Sequence, residues 1–217
     1  MSINIPTSAL TIGIDIGGTK VLGGVVDSNG QIIDSARRPT PANGGQELVA
    51  TIVDLIKEFQ VKHHIAGIGI SVAALISKDA GTIIGAPNIA NLSKLNFVNE
   101  IKEEFELPII IENDANAAMW AEFKFGNAKS LNPVMFFIIG TGVGGGLVID
   151  GKLFKGVNGI GAEFGHMCVV PNGLSCGCGS KGCLEQYASG GALIRYANEA
   201  LLANPDKSEE VLSFGEG

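Results

Sequence analysis

A short segment rich in metal-binding side chains constrains this sequence more than any other feature. Within the glycine-rich stretch 161–185 stand one histidine and three closely spaced cysteines, the ligand set of a closed, tetrahedral zinc site. The glycines between Gly173 and Gly182 let the backbone turn tightly around an ion. The sequence therefore predicts a structural Zn²⁺ site in this segment. Its predicted ligands are His166, Cys176, Cys178 and Cys183.

Disulfides and free thiols are the two alternatives for these cysteines. Cys176 and Cys178 are too close in sequence to pair easily with each other. No signal peptide precedes Ile12, so the sequence gives no indication of an oxidising compartment. Cys168 follows Met167 in an apolar stretch and is predicted to be a small core residue. Zinc binding is the favoured interpretation.

Two acidic residues flank the predicted zinc ligands. Glu163 lies three residues before His166, and Glu185 lies two residues after Cys183. A metal ion that holds both ends of the segment would bring the two carboxylates together. The segment is therefore interpreted as a binding segment whose two carboxylates contact a polar ligand.

Composition limits the classes of function that need consideration. The 217 residues are 46% hydrophobic and 17% charged, which is typical of a soluble globular chain of one large or two small domains. The formal net charge of −7 argues against a nucleic-acid partner, because phosphate neutralisation needs a basic patch. The most apolar run, 134–149, contains five glycines and is too short to cross a membrane. We expect a cytoplasmic enzyme without a membrane partner.

The order of predicted elements indicates a mixed α/β fold. Three antiparallel strands are followed by alternating helices and strands, a pattern typical of a mixed sheet covered by helices. Strands are predicted at 10–16, 20–26, 31–36, 65–72 and 108–112, and helices at 46–62, 97–105, 115–125 and 192–203. From Val134 the pattern of strand, glycine turn and strand starts again. We therefore predict one lobe over residues 1–130 and the first part of a second lobe over 131–217.

Each half contains a glycine-rich turn that could hold phosphate. GIDIGGTK at 13–20 lacks the residue order of a P-loop, and GTGVGG at 140–145 is followed by a strand instead of the helix of a dinucleotide site. Such turns can still offer backbone N–H groups to a polyphosphate. Asp15 could hold Mg²⁺ through water, and Thr19 and Thr141 could donate to phosphate oxygens. Ordinary hairpin turns are the alternative interpretation.

Several motifs occur in order along nearly the whole chain. They are DIGGTK at 15–20, ENDANAA at 112–118, GTGVGGG at 140–146, the histidine and cysteine segment, and CLEQYASG at 183–190. Together they resemble the ROK family of bacterial sugar kinases. The resemblance implies an actin- and hexokinase-like (ribonuclease H-like) ATPase fold, with sugar and ATP in a cleft between two lobes. The second lobe is expected to be incomplete in this chain.

The resemblance also implies roles for individual residues. Asp114 matches the family's catalytic base, and Asn113 beside it matches a ligand of sugar hydroxyls. Further sugar ligands would be Asn88, Glu163, Glu185 and His166, which would also bind the metal. The residues that would hold the ATP phosphates are Gly17, Gly18, Thr19, Lys20, Thr141 and Gly142, with Asp15 nearby.

The implied function is ATP-dependent phosphorylation of a hexose at its C6 hydroxyl, with glucose as the expected substrate. Fructose and N-acetylmannosamine are the alternatives. Relatives that act on N-acetylmannosamine often have an arginine near Leu75, and its absence favours a plain hexose. The segment 89–97 lacks the tryptophan frequent in glucokinases, and polyphosphate remains open as a donor.

A sugar-responsive repressor is the alternative from another class of protein. Such repressors carry a helix-turn-helix domain before the first phosphate motif, and residues 1–9 are too few to form one. In relatives the adenine-binding segment lies beyond the position of Gly217. Residues 1–217 alone are therefore expected to be inactive, and the full-length protein is expected to be a homodimer or a higher homo-oligomer.

Overall fold

The computed structural model describes residues 9–77, 83–86, 89–94 and 96–203. Over these residues the chain forms ten strands, five α-helices and two short 3₁₀ helices at Leu92–Lys94 and Phe164–His166. The strands are β1 Leu10–Ile16, β2 Lys20–Val26, β3 Ile32–Pro39, β4 Ile65–Val72, β5 Leu75–Ile76, β6 Ile83–Gly85, β7 Ile109–Asn113, β8 Val134–Ile139, β9 Val143–Ile149 and β10 Lys152–Leu153. The α-helices are α1 Gly45–Lys62, α2 Phe97–Glu104, α3 Asp114–Phe125, α4 Glu185–Ala188 and α5 Gly190–Ala203.

A mixed five-stranded sheet forms the centre of the first half of the chain. Its strand order is β3-β2-β1-β4-β7. Strands β1, β2 and β3 pair antiparallel, whereas β4 and β7 run parallel to β1. Parallel neighbours need a crossover connection, and α1 and α2 lie in the two crossovers. The predicted mixed α/β arrangement is confirmed.

Helix α1 covers one face of this sheet. Apolar residues recur along it at helical spacing, and the side chains of Leu48, Ile52, Leu55 and Phe59 are fully buried. They pack in the same core as Ile12 and its neighbours on β1, β2 and β4. Full burial of one such side chain contributes about 1.5–3 kcal/mol, so this face supplies much of the stability of the sheet.

A row of glycines crosses the opposite face of the sheet. Gly24, Gly13 and Gly69 are paired in register across β2, β1 and β4, and Gly69 pairs in turn with Ile110 of β7. A Cβ atom placed on Gly13 would meet nothing within 4 Å. This open face borders a cavity of about 980 Å³.

The remaining strands form two small sheets. Strands β5 and β6 pair with each other, and β8, β9 and β10 form a three-stranded sheet in the order β10-β9-β8. The β5–β6 pair was not predicted, because two- and three-residue strands are too short to show an alternating pattern. No helix in the described part of the chain is long and apolar enough to span a membrane.

The chain divides into two compact units. The first comprises Met1–Met135 and Gly146–Ala162, and the second comprises Phe136–Gly145 and Glu163–Gly217. Residues 146–162 therefore group with the first unit, whereas the sequence pattern predicts them in the second lobe. The identification of lobes at 1–130 and 131–217 stays a prediction.

Candidate functional site

Three polar residues lie side by side near the carboxyl ends of the central strands. Asp15 on β1 pairs in register with Ser71 on β4, which pairs in turn with Glu112 on β7. The Ser71 hydroxyl donates a hydrogen bond of 2.6 Å to Asp15 Oδ1. Glu112 forms an ion pair with Lys155, which follows β10 in the chain. The first unit therefore has a polar row beside its glycine-lined face.

Asp114 begins helix α3 immediately after strand β7. Asn113 caps this helix, because its side-chain oxygen accepts a hydrogen bond of 3.1 Å from the Asn116 backbone N–H. The Asp114 carboxylate accepts hydrogen bonds from the Ala115 backbone N–H at 2.9 Å and from Asn113 Nδ2 at 3.0 Å. Part of the Asp114 side chain stays open to solvent.

The surroundings of Asp114 favour its neutral form. Desolvation by the packed neighbours is the main factor that raises the pKa of Asp114, and the negative charge of Asp15 adds to it. The hydrogen bonds from Ala115 and Asn113 act in the opposite direction but are outweighed. A carboxyl with a raised pKa is a stronger proton acceptor once ionised, as a general base requires.

The first glycine turn connects β1 and β2 and is held from one side. The Gly17 backbone N–H donates to the Lys20 carbonyl at 2.9 Å, which closes the turn. The Thr40 hydroxyl donates to the Gly17 carbonyl at 2.7 Å, and the Thr40 N–H donates to the Thr19 carbonyl at 3.1 Å. Gly18, Thr19 and Lys20 are exposed. The turn is thus fixed while its outer residues remain accessible.

The second glycine turn connects β8 and β9 and contacts the start of α5. The backbone N–H groups of Gly190 and Gly191 donate to the carbonyls of Gly140 and Thr141 at 2.8 and 3.2 Å. A Cβ atom on Gly190 would lie 2.8 Å from the Gly140 oxygen, so only glycine permits this close approach. The second unit therefore fixes its turn through a helix N-terminus.

The four predicted zinc ligands come together in the second unit. One ligand atom from each of His166, Cys176, Cys178 and Cys183 lies within 4.8 Å of the other three. His166 Nδ1 is 3.5 Å from Cys176 Sγ, and Cys178 Sγ is 3.7 Å from Cys183 Sγ. Thiolates on one tetrahedral zinc ion stand about 3.8 Å apart, given Zn–S bonds of about 2.3 Å. The donor set and its spacing fit zinc.

The thiols of this cluster differ strongly in acidity without a metal. Hydrogen bonding from the Ser180 backbone N–H lowers the pKa of Cys178 to about 7. Burial raises the pKa of Cys183 to about 12, and burial also raises the pKa of Cys176. A bound Zn²⁺ requires all three as thiolates, so binding would release protons from the buried thiols.

Glu185 joins the cysteine cluster to the second glycine turn. Its Oε1 accepts a hydrogen bond from Cys176 Sγ at 3.1 Å and lies 3.7 Å from His166 Nδ1. Its Oε2 borders Gly142, where an added Cβ atom would lie 2.8 Å away. Glu163 precedes the 3₁₀ helix Phe164–His166, and its carbonyl accepts from the His166 N–H at 3.0 Å. The second unit thus places the Glu185 carboxylate beside His166 and bonds the Glu163 backbone to the His166 N–H.

Two sequence expectations have different outcomes. Asn88 lies outside the described residues, so its predicted contact with sugar stays a prediction. The prediction that Cys168 is a core residue is wrong, because Cys168 is exposed. Its backbone instead pairs with Cys183 in an isolated β-bridge that holds the two ends of the cluster segment together.

Sequence reasoning missed Ser71, Thr40 and Lys155. Ser71 had a detectable signal, because it stands in an apolar strand at the position that alternation assigns to the same face as Gly69. Thr40 and Lys155 had none, since both reach the site from loops outside the motifs.

Comparison with known proteins places these features in a family. Residues 11–212 match the ROK family. The chain is 44% identical over 208 residues to a glucokinase of Streptomyces coelicolor, covering 96% of this chain and 65% of that protein. It is 35% identical over 182 residues to an N-acetylmannosamine kinase of Yersinia pseudotuberculosis, covering 84% of this chain and 62% of that protein.

A solved structure gives the same result for the fold. The crystal structure of a ROK family glucokinase from Streptomyces griseus in complex with glucose and AMPPNP aligns with a TM-score of 0.81 at 41% identity. The alignment covers 95% of this chain and 65% of that chain. The fold is therefore the actin/hexokinase-like α/β fold of these kinases, and the chain spans part of it. The chain belongs to the ROK family.

Proposed function

We propose that the protein containing this chain is an ATP-dependent hexose kinase that phosphorylates the C6 hydroxyl of glucose. One observation carries the proposal. Ile16, Val72 and Asn113 are paired in register at the ends of β1, β4 and β7. The first glycine turn begins directly after Ile16, and Asp114 directly follows Asn113. A candidate phosphate turn and a candidate base therefore leave the same edge of one sheet, two strand spacings or about 10 Å apart.

Asp114 is the proposed general base. A sugar hydroxyl is a weak nucleophile, so a positioned acceptor for its proton assists attack on phosphorus. Asn113 is the proposed ligand of a neighbouring sugar hydroxyl, and its bond to Asp114 would align the two groups. The raised pKa of Asp114 suits the transfer, since the ionised carboxylate then binds the departing proton more firmly.

The two glycine turns are the proposed phosphate ligands. Backbone N–H groups and the hydroxyls of Thr19 and Thr141 can donate to phosphate oxygens, and Lys20 adds a positive charge. The Asp15 carboxylate and the Ser71 hydroxyl offer the oxygen atoms that Mg²⁺ prefers. A bound Mg²⁺ would neutralise charge on the transferred phosphoryl group.

Zinc is the proposed structural cofactor of the second unit. The four ligands would close the segment that carries Glu163, His166 and Glu185, the proposed sugar ligands of this unit. Since all four positions of the cluster are protein atoms, no position is left for a substrate on the ion. We therefore assign zinc an organising role without direct chemistry.

Two observations bear on which sugar the protein phosphorylates. The glucokinase of Streptomyces coelicolor is more similar to this chain than the N-acetylmannosamine kinase of Yersinia pseudotuberculosis, at 44% against 35% identity. Leu75, where kinases for N-acetylmannosamine often have an arginine nearby, is exposed on the short strand β5. The higher identity to the glucokinase and the absence of an arginine near Leu75 both favour glucose.

A coupled assay of the complete protein with ATP and a panel of sugars tests the proposal. Glucose should give the highest kcat/KM, with the phosphate transferred to the C6 oxygen. Turnover of N-acetylmannosamine or fructose without turnover of glucose would overturn the assignment of glucose as the substrate. Absence of turnover with every sugar, combined with salt-resistant binding to promoter DNA, would favour a repressor instead. Polyphosphate in place of ATP tests the donor, and sedimentation tests the expected homo-oligomer.

A further inference from the structure

The carboxylate just before the candidate base makes contacts that the proposed chemistry does not use. Glu112 lies on β7, two residues before Asp114. Resting on the proposed kinase function, we propose that Glu112, held by Lys155, is a positioning residue that fixes the Asn113–Asp114 turn for catalysis.

Both carboxylate oxygens of Glu112 have defined partners. Oε1 accepts hydrogen bonds from the Asn113 backbone N–H at 3.1 Å and from Asn116 Nδ2 at 3.2 Å. Oε2 contacts Lys155 Nζ, and the Glu112 side chain is only 20% exposed. Rotation of this carboxylate would break contacts on both sides, so its orientation is fixed by them.

Of the two residues that Glu112 holds, Asn113 contacts Asp114 directly and Asn116 contacts the Asn113 side chain. Asn113 donates from Nδ2 to Asp114 Oδ1 at 3.0 Å and to the Ala74 carbonyl at 3.2 Å. The Asn113 side-chain oxygen accepts from the Asn116 N–H at 3.1 Å. A continuous set of contacts therefore runs from Lys155 through Glu112 and its two asparagine partners to the base.

The buried side-chain amide of Asn116 depends on Glu112 for a hydrogen-bond partner. Its side chain is only 3% exposed, and its Oδ1 has no hydrogen-bond partner among the described residues. The bond from its Nδ2 to Glu112 is the contact that offsets burial of this amide. Loss of the Glu112 carboxylate would leave the Asn116 amide unsatisfied, and the first turn of α3 would have to shift.

Lys155 contributes charge as well as contact. Glu112 stands in the same row as Asp15, two strands away, and Asp114 follows in sequence. Three carboxylates at one edge of a sheet repel one another unless a cation lies among them. Lys155 supplies that cation beside Glu112, whose other oxygen accepts from the two asparagines. This role needs a positive charge at the end of a long side chain. An arginine at position 155 should therefore perform it nearly as well as the lysine.

The test uses the kinetics of the complete enzyme. Glu112→Ala should lower kcat about 10- to 100-fold and change the sugar KM much less, because displacement of the base by a fraction of an ångström slows the chemical step. Lys155→Met should lower kcat about 10-fold, and Lys155→Arg should restore most of it. In an Asp114→Asn background, Glu112→Ala should lower the residual rate by less than about twofold, because its effect acts through Asp114.

A matched control and a second readout keep the outcomes distinct. Glu104→Ala breaks the exposed Lys57–Glu104 ion pair of 2.8 Å and should leave kcat unchanged. Amide hydrogen exchange should accelerate at Asn113 and Asn116 in Glu112→Ala. This measurement does not depend on kinase activity, so it tests the positioning role even if the parent phosphorylates no hexose and the proposed kinase function fails. Parental kcat in Glu112→Ala, or a full further loss in the Asp114→Asn background, would overturn the positioning role. If Glu112→Ala does not fold, Glu112→Gln and the Lys155 pair of variants decide.

Discussion

The Ser71 hydroxyl donates a hydrogen bond of 2.6 Å to Asp15 Oδ1, between two residues paired in register on β4 and β1. Both side chains lie on the face that is not covered by α1. A strand position next to Asp15 thus orients one carboxylate oxygen and leaves the other for a ligand.

Ser71→Ala should raise the Mg²⁺ concentration needed for half-maximal kinase rate by about 3- to 10-fold. The expected cause is freer rotation of Asp15, since one hydrogen bond to a charged group contributes about 1.5–3 kcal/mol at most. Titration of the complete enzyme with Mg²⁺ at fixed ATP measures this. Ser35→Ala, on the β3 strand of the same sheet, is the control and should behave as the parent. An unchanged Mg²⁺ requirement in Ser71→Ala would show that the Ser71 hydroxyl does not orient Asp15 for Mg²⁺ binding.

Asp114→Asn should lower kcat by about 10²–10⁴-fold and leave zinc content intact, because the proton acceptor is lost while the fold is kept. In the parent, kcat should fall as pH falls through the pKa of Asp114. Since desolvation raises that pKa, the acidic limb should lie above the ordinary aspartate range. A pH profile of kcat measures the limb. Parental turnover in Asp114→Asn would exclude Asp114 as the base.

The same substitution should not weaken the fold at neutral pH. Because the pKa of Asp114 is raised in the native state, the native state holds this proton more tightly than the unfolded chain. The free energy of unfolding then falls as pH rises from the unfolded pKa of about 3.9 to the raised native value. Asparagine does not ionise, so the variant does not lose this unfolding free energy as pH rises. Thermal unfolding at neutral pH should therefore show Asp114→Asn at least as stable as the parent, and a lower Tm would contradict the assigned pKa direction.

Cys178→Ser should abolish stoichiometric zinc and weaken sugar binding without touching Asp114. The physical reason is that a cluster with three of its four ligands no longer closes the segment that carries Glu185. Cys168→Ser is the matched control, because Cys168 is exposed and is not a member of the cluster. Metal analysis by mass spectrometry, with sugar titration, measures both effects. Full zinc content in Cys178→Ser would refute the four-ligand assignment.

The thiols should react in a defined order after zinc is removed by a chelator. Cys178, with a pKa of about 7, is about half thiolate at neutral pH, whereas Cys183, with a pKa of about 12, stays protonated and buried. Iodoacetamide should therefore label Cys178 well before Cys183. Peptide mass spectrometry of timed samples gives the order, and zinc should protect both. Faster labelling of Cys183 would contradict the structure of the cluster.

Two glycines on opposite faces of the sheet should respond differently to alanine. A Cβ atom on Gly23 would lie 2.7 Å from Leu55 Cδ2 and 2.8 Å from Phe59 Cε2, both in fully buried side chains. Gly23→Ala should cost about 1–3 kcal/mol of unfolding free energy by overpacking. Gly13→Ala, one register position away on β1, should cost less than about 0.5 kcal/mol, since it meets nothing within 4 Å. Chemical denaturation compares the two.

Much of the fold could be predicted because its elements have strong periodic patterns. The predicted strands 10–16, 20–26 and 65–72 have the observed bounds, and α1 begins one residue before the predicted start. These segments are buried on at least one face, so their apolar pattern follows the backbone period. The β5–β6 pair and the return of residues 146–162 to the first unit depend on tertiary contacts that leave no periodic signal.

The histidine and cysteine cluster could be predicted more completely than the acidic site. Cysteine and histidine at close spacing have few other uses, so the sequence alone indicated all four ligands that the structure brings together. Asp15 and Asp114 could be named only through motifs, because isolated carboxylates are common on surfaces. Ser71 and Lys155 complete that site through strand register and a loop, and both depend on the folded sheet.

The contact between α5 and the second glycine turn determines which way the peptide dipoles of that turn point. In a trans peptide the carbonyl and the following N–H point in opposite directions. Because the carbonyls of Gly140 and Thr141 face the amides of Gly190 and Gly191, the N–H groups of Thr141 and Gly142 must point away from the helix. The turn therefore presents the positive ends of its peptide dipoles outward. Anion preference at this turn is thus a property of backbone direction, and side-chain substitutions there should alter affinity without reversing the preferred charge.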